Sequence, residues 1–133
     1  MSTAYLDASA VVKLFKPERE SVRLAEALAR YDLWVSSEVV TVEAACTARR
    51  AGGEEMVGAA ESIVEALELI PFTLAVRQRA AASFGRPLRV LDAAHAASAL
   101  TLADDLTVVV AYDAELAGAL DAEGLEVLAP GAH

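Results

Sequence analysis

Two aspartates follow short apolar runs directly: Asp7 after Tyr5-Leu6, and Asp113 after Thr107-Val108-Val109-Val110-Ala111-Tyr112. If both runs are parallel strands of one sheet, the two carboxylates emerge at the same carboxyl edge, which is where open α/β sheets place their sites. Glu43 and Asp92, also set in apolar surroundings, are candidates to join them. Four carboxylates around one cleft suit a divalent cation. Hard oxygen donors with no partnering cysteine and no His-Glu-x-x-His pattern favour Mg²⁺, with Mn²⁺ as the substitute, over zinc.

Each acid also has a plainer reading. Asp7, Asp92 and Asp113 stand where helices are expected to begin, so any of them can be an N-cap accepting backbone N–H bonds. Glu43 differs, because it falls inside an expected helix, flanked by Val39, Val40, Val42 and Cys46. There it cannot cap, and burying an unpaired charge is costly. A salt bridge to an arginine is the structural alternative; a cation shared with three aspartates accounts for all four positions at once. Ser9, two residues after Asp7, either hydrogen-bonds that carboxylate or contacts a substrate phosphate. Glu115 sits in the first turn of a helix, where the helix dipole accounts for it, and is an outer ligand at most. His95, one turn after Asp92, reads as a packed, hydrogen-bonded core residue and is left out of the site.

The elements that must position these residues follow from apolar spacing and from breakers. Helices are expected over 9–16, stopped by Pro17, and over 18–30 with Val22, Ala25, Leu28 and Ala29 on one face. A third begins at a Ser36 or Ser37 cap and stops near Gly52-Gly53, and another runs on to about Glu68. Further helices are expected over 74–84, 91–103 and 114–123, with Gly85 and Gly124 as stops after the first and last. Strands are expected at Leu33-Trp34-Val35, Leu69-Ile70, 108–110 and Glu126-Val127-Leu128. Because the valines at 108–110 are continuous and do not alternate with polar residues, that strand should be covered on both faces, as parallel strands are. Residues 129–133 read as a loose tail, with His133 incidental.

A chain of 133 residues is expected to form one domain, 1–133, around one core. Hydrophobic residues reach 56% with few aromatics, and much of that is alanine, which favours close-packed helices on a small sheet over a β-sandwich. The class is α/β. No apolar run approaches the roughly 20 residues of a membrane span, and the N-terminal apolar stretch is interrupted by Asp7 and Lys13, unlike a signal peptide. A cytoplasmic location is expected, without membrane contact. Cys46, the single cysteine, reads as a small core residue. The formal charge of −9 is unevenly placed: every Lys and Arg lies at or before Arg89, and after it there are acids alone. The basic groups Lys13/Lys16/Arg19/Arg23, Arg49/Arg50 and Arg77/Arg79/Arg86/Arg89 are either solvated helix faces or contacts to phosphates.

With these residues in place, the chain resembles the PIN-domain nucleases, and among them the toxin subunits of bacterial VapBC toxin–antitoxin pairs. Tyr5-Leu6-Asp7-Ala8-Ser9-Ala10-Val11-Val12-Lys13-Leu14, followed by Pro17-Glu18, is similar to the family's opening motif. Val42-Glu43-Ala44-Ala45 is similar to its helix-borne glutamate, Leu88-Arg89-Val90-Leu91-Asp92-Ala93-Ala94-His95 to its third acidic motif, and Val110-Ala111-Tyr112-Asp113 with Glu115-Leu116-Ala117 to its fourth. Ala111 departs from the pattern, since a threonine often stands there. The resemblance implies a three-layer α/β/α fold on a small parallel sheet, a homodimer, Mg²⁺-dependent endoribonuclease activity on an RNA substrate, and inhibition by a cognate antitoxin. It also implies Asp7, Glu43, Asp92 and Asp113 as catalytic, metal-holding residues. Two rivals stand beside it: a receiver-like Mg²⁺-binding signalling domain, and a PIN-like module that binds RNA without cutting.

Overall fold

The structure, a computed structural model, describes residues 1–132; His133, expected to be incidental, lies outside the described residues. The elements run β1 (Thr3–Leu6), α1 (Ala8–Phe15), α2 (Ser21–Leu28), β2 (Leu33–Ser37), α3 (Val40–Glu65), β3 (Glu68–Ile70), α4 (Leu74–Ala81), α5 (Val90–Leu100), β4 (Val108–Val110), α6 (Ala114–Ala122) and β5 (Val127–Leu128). All five strands are parallel, in the order β3-β2-β1-β4-β5. In the central register Tyr5 lies opposite Val35 on one side and Val109 on the other. The order therefore reverses between β1 and β4, and their carboxyl ends flank the crevice where open sheets bind ligands.

Helices cover both faces. On one, α1, α2 and α3 pack against Ala4, Leu6, Val108 and Val110; on the other, α4, α5 and α6 pack against Tyr5, Val35 and Val109. The continuous valines of β4 are thus shared between two cores, as their spacing predicted. Each fully buried valine contributes about 1.5–3 kcal/mol. Small residues set the layer spacing: Ala44 and Ala48 on α3 meet α1 at a close approach, and Ala96, Ala97 and Ala99 do the same for α5. No helix among the described residues is long and apolar enough to cross a membrane.

The structure corrects several local expectations. α2 buries Leu24 and Leu28, leaving Val22 68% exposed, because two leucines at i and i+4 offer more apolar area than a valine and alanines. Ser36 and Ser37 belong to β2 and neither is the N-cap of α3; that position is Val39, whose N–H is taken by Ser37 Oγ at 3.2 Å. The expected stop at Gly52-Gly53 is borne out: Gly53 leaves helical geometry with φ 68°, open to glycine and strained for other residues, so α3 is two helical stretches joined at a kink. Cys46 is exposed, since the buried stripe of α3 runs through Val40, Ala44 and Ala48. The stretch 129–132 is tied down: Tyr112 Oη donates to the Pro130 carbonyl at 2.7 Å, and Gly131 packs against Arg23.

Candidate active site

The parallel sheet delivers both strand-end aspartates as N-caps. Asp7 follows β1 and opens α1, accepting from the Ala10 N–H at 2.9 Å and from the Ser9 hydroxyl at 2.6 Å, both at Oδ1. Asp113 follows β4 and opens α6, accepting from the Leu116 N–H at 3.0 Å. Asp92 is not a cap: that position of α5 is Arg89, and Asp92 lies in the first helical turn. Capping therefore explains the local positions of two aspartates, and the helix dipole favours Asp92 in the first turn of α5.

Glu43, Asp92 and Asp113 line one open cleft of about 380 Å³ together with Arg89, Val90 and Leu91. Asp7 sits behind it and is 3% exposed. Burial pushes the Asp7 carboxyl up to about 6; the bonds from Ser9 and Ala10 oppose that rise, and the charge of Asp92 adds to it. Asp92 is also raised, first by desolvation and then by the facing Asp113. The aspartates thus act on one another electrostatically, which is the condition a shared cation relieves.

As the described side chains stand, no group of three or more His, Cys, Asp and Glu is drawn close enough together to hold a metal ion. The donor set nevertheless fits a hard divalent cation: four carboxylates at one sheet edge, two of them held above their ordinary pKa, and no thiolate among them. Both bonds to Asp7 fall on Oδ1, so Oδ2 is left for a ligand.

Glu43 is compensated in a way the spacing did not predict. Its neighbours Val39, Val42 and Cys46 line an outer groove, with Val42 66% exposed, and its carboxylate is bonded to the ring of His95 at 2.7 Å. The apolar neighbours are those expected, but they face an open groove and not the core, and the partner is no arginine. His95 is buried and hydrogen-bonded as expected, yet it touches the site through Glu43. A signal existed in the sequence, since His95 lies one turn after Asp92, but nothing there shows that it reaches a residue of α3.

Ser9 uses its hydroxyl internally, donating to Asp7 and accepting from the Tyr112 N–H at 3.0 Å, which locks α1 to the turn after β4. Glu115 is exposed and faces Arg86 at 3.9 Å, outside the cleft lining. Among the basic groups, Lys13 pairs with Glu18 and Glu20, and Lys16 and Arg19 also face these acids. Arg89 alone of the Lys and Arg residues lines the carboxylate cleft.

The sequence matches the family described as "PIN domain" over residues 4–119. It is 40% identical over 131 residues to Ribonuclease VapC35 of Mycobacterium tuberculosis (strain CDC 1551 / Oshkosh), covering 96% of each chain. In fold it is similar to the Mycobacterium tuberculosis toxin VapC20, described as cleaving the sarcin–ricin loop, with a TM-score of 0.72 at 17% identity over 87% of this chain and 94% of that one. It is also similar to a chain in the structure of VapBC2 from Rickettsia felis bound to a DNA fragment from its promoter, with a TM-score of 0.68 at 16% identity over 95% and 97%.

Proposed function

The chain belongs to the PIN-domain family, among ribonucleases of the VapC type, and on that premise we propose that it is the toxin of a type II toxin–antitoxin pair, cutting RNA phosphodiester bonds at the cleft between β1 and β4. The observation that carries this reading is the meeting of Glu43, Asp92 and Asp113 in one cleft, with Asp7 electrostatically coupled behind them. Ribonucleases of this family work with a divalent metal; here we take it to be Mg²⁺, with Mn²⁺ as a substitute. Asp7, Glu43 and Asp92 would hold it, with Asp113 holding or orienting a second. When bound, such an ion supplies a Lewis acid for the phosphoryl oxygens and a water acidic enough to act as nucleophile near neutral pH.

The chain's own residues do the rest. Asp7 offers Oδ2 while Ser9 and the Ala10 N–H fix the other oxygen, so Ser9 serves the substrate by orienting Asp7. Asp92 and Asp113 line the same cleft, where their carboxylate oxygens would accept hydrogen bonds from a water held there. Arg89 is placed to pair with a non-bridging phosphate oxygen, positioning the strand without reading its sequence. With a formal charge of −9 and three carboxylates lining the cleft, attraction for RNA would come from the bound cation together with Arg89.

The partners follow the same reading: an RNA substrate, a second copy in a homodimer, and a cognate antitoxin. A groove of about 500 Å³ lined by Val39, Val42, Cys46, Thr47, Arg50 and Leu91 shares Glu43 with the cleft. An antitoxin segment laid there would set apolar side chains on the exposed valines and send a cationic side chain to the carboxylates. We take residues 1–133 as a single PIN-like domain acting in the cytoplasm. The receiver-like rival is set aside by the strand order, which in receivers is 2-1-3-4-5. A gel assay on purified protein with total RNA, in Mg²⁺, in Mn²⁺ and in EDTA, tests the reading. Metal-dependent cleavage is expected; full activity in EDTA with metal removal verified, or binding without cleavage in Mg²⁺, overturns it.

A further inference from the structure

We infer that His95 is a positioning residue: one proton on Nε2 holds Glu43 at the carboxylate cluster, and Tyr5 dictates which ring nitrogen carries that proton. This rests on the nuclease reading only for what the cluster does. Tyr5 is fully buried between β2 and β4, and its phenol oxygen lies 2.7 Å from His95 Nδ1. His95 is 1% exposed, and its Nε2 lies 2.7 Å from Glu43 Oε1.

The direction of each bond follows from the chemistry of the partners. A phenolate in an apolar interior is costly, so Tyr5 keeps its proton and has it to give. Donated to Nδ1, that proton makes the ring a neutral imidazole with hydrogen on Nε2, which donates to Glu43. The opposite tautomer sets a bare Nε2 lone pair against a carboxylate oxygen at 2.7 Å. The first arrangement gives both ring nitrogens a partner, the phenol at Nδ1 and the carboxylate at Nε2.

The network ties together the elements that carry three of the four carboxylates. Tyr5 is two residues before Asp7 on β1, His95 is one turn after Asp92 on α5, and Glu43 is on α3. α3 and α5 belong to opposite helical layers, so the His95–Glu43 bond spans the carboxyl edge of the sheet. Its consequence is a division of labour at Glu43: Oε1 is committed to the imidazole and Oε2 is left for the cleft. Nε2 carries hydrogen toward Glu43 and is thereby excluded as a metal ligand. Groups that orient ligating carboxylates in this way change metal affinity by about 10–100-fold when removed.

Nitrogen-15 NMR of the metal-free protein reads the tautomer directly. A protonated Nε2 and an unprotonated Nδ1 are expected for His95 at neutral pH, with the Nδ1 signature altered in Tyr5→Phe; a protonated Nδ1 in the wild-type protein overturns the inference. The second arm is Mn²⁺ binding by titration calorimetry. His95→Gln keeps an amide donor near the position of Nε2 and should bind within a few-fold of wild type, whereas His95→Phe, of similar shape without a donor, should bind about 10–100-fold more weakly. Equal binding by a folded His95→Phe overturns the inference, as does a Gln variant no better than Phe. If His95→Phe does not fold, Tyr5→Phe and the wild-type nitrogen shifts still decide it. Wild-type protein that neither binds Mn²⁺ nor cuts RNA sinks the nuclease reading, while the shifts rule on the network independently.

Discussion

The two strand-to-helix turns at the switch point, β1–Asp7–α1 and β4–Asp113–α6, are built by the same local device and differ in depth. Both aspartates have extended backbone, with φ −79° and ψ 179° for Asp7 and φ −81° and ψ 122° for Asp113, and both accept the N–H three residues ahead. A cap needs no burial to work, and Asp113 works half-buried. Asp7 is closed in by the central strand and by α1, and takes a second bond from Ser9. The cap explains what the two share; the closed surroundings and the raised pKa of Asp7 belong to the cluster. A carboxylate kept in so unfavourable a place marks a position shaped by its charge, as perturbed groups at functional sites are.

Activity should separate the two turns most strongly. Asp7→Asn and Asp92→Asn are expected to reduce RNA cleavage to the background of an enzyme-free control, with circular dichroism unchanged. Asp113→Asn, at the shallower turn, should lose about 10–100-fold. Equal loss at Asp7 and Asp113 in a quantitative cleavage assay would erase the distinction. The next effect is metal-linked stability. Mg²⁺ at about 100 times its dissociation constant should stabilise the native protein by roughly 2.7 kcal/mol, and the Asp7→Asn/Asp92→Asn protein by far less. Melts in Mg²⁺ and in EDTA measure both.

In EDTA the comparison sharpens into a pH dependence. The Asp7 carboxyl is raised from 3.8 to about 6 in the folded state. Between these values the folded chain holds a proton that the unfolded chain has released, so stability falls as pH rises through the window. The cost is complete above about pH 6 and relieved below about pH 4, on the order of 2–3 kcal/mol. Asn keeps the cap and removes the charge. Asp7→Asn should therefore raise stability by about 1–3 kcal/mol at pH 8 and change it little at pH 4. Asp113→Asn should change it by less than about 0.5 kcal/mol at either pH. Urea melts at the two pH values decide this, and destabilisation by Asp7→Asn at pH 8 would count against the buried-charge account.

The parts of this site that were legible in the sequence are those written along one element. Asp7 and Asp113 could be placed together because continuous valines and a strand-end aspartate are local signals, and parallel strands bring their ends to one edge. Glu43 is legible as an acid inside a helix, but which of its neighbours face the core is not: α3 buries Val40, Ala44 and Ala48 and turns Val42 and Cys46 outward. His95 was recognised as buried and bonded, but its bond to Glu43 joins two layers 52 residues apart, and no periodicity within α5 carries that information. The anchoring of the C-terminal stretch to Tyr112 is likewise a contact between distant segments.

Ser9 is what Asp7 has and Asp113 lacks, and removing it should make the two turns more alike in bonding while leaving their depths unequal. The Ser9 hydroxyl donates to Asp7 Oδ1 and opposes the rise in the carboxyl pKa caused by burial. In Ser9→Ala the folded pKa of Asp7 should rise above 6, and the Tyr112 N–H loses its acceptor at any pH. The second loss is a neutral bond, about 0.5–1.5 kcal/mol, and is felt equally at pH 4 and pH 8. The first is a bond to a charged group and is felt only where Asp7 is ionised. The destabilisation by Ser9→Ala in EDTA should therefore be larger at pH 8 than at pH 4, by about 1 kcal/mol. Urea melts of Ser9→Ala and of Ser9→Ala/Asp7→Asn isolate this contribution, since the pH-dependent part should vanish once Asp7 carries no charge. A cost that is the same at both pH values in the single variant would mean that Ser9 braces the backbone and does nothing for the carboxylate, and the contrast between the two turns would then rest on burial alone.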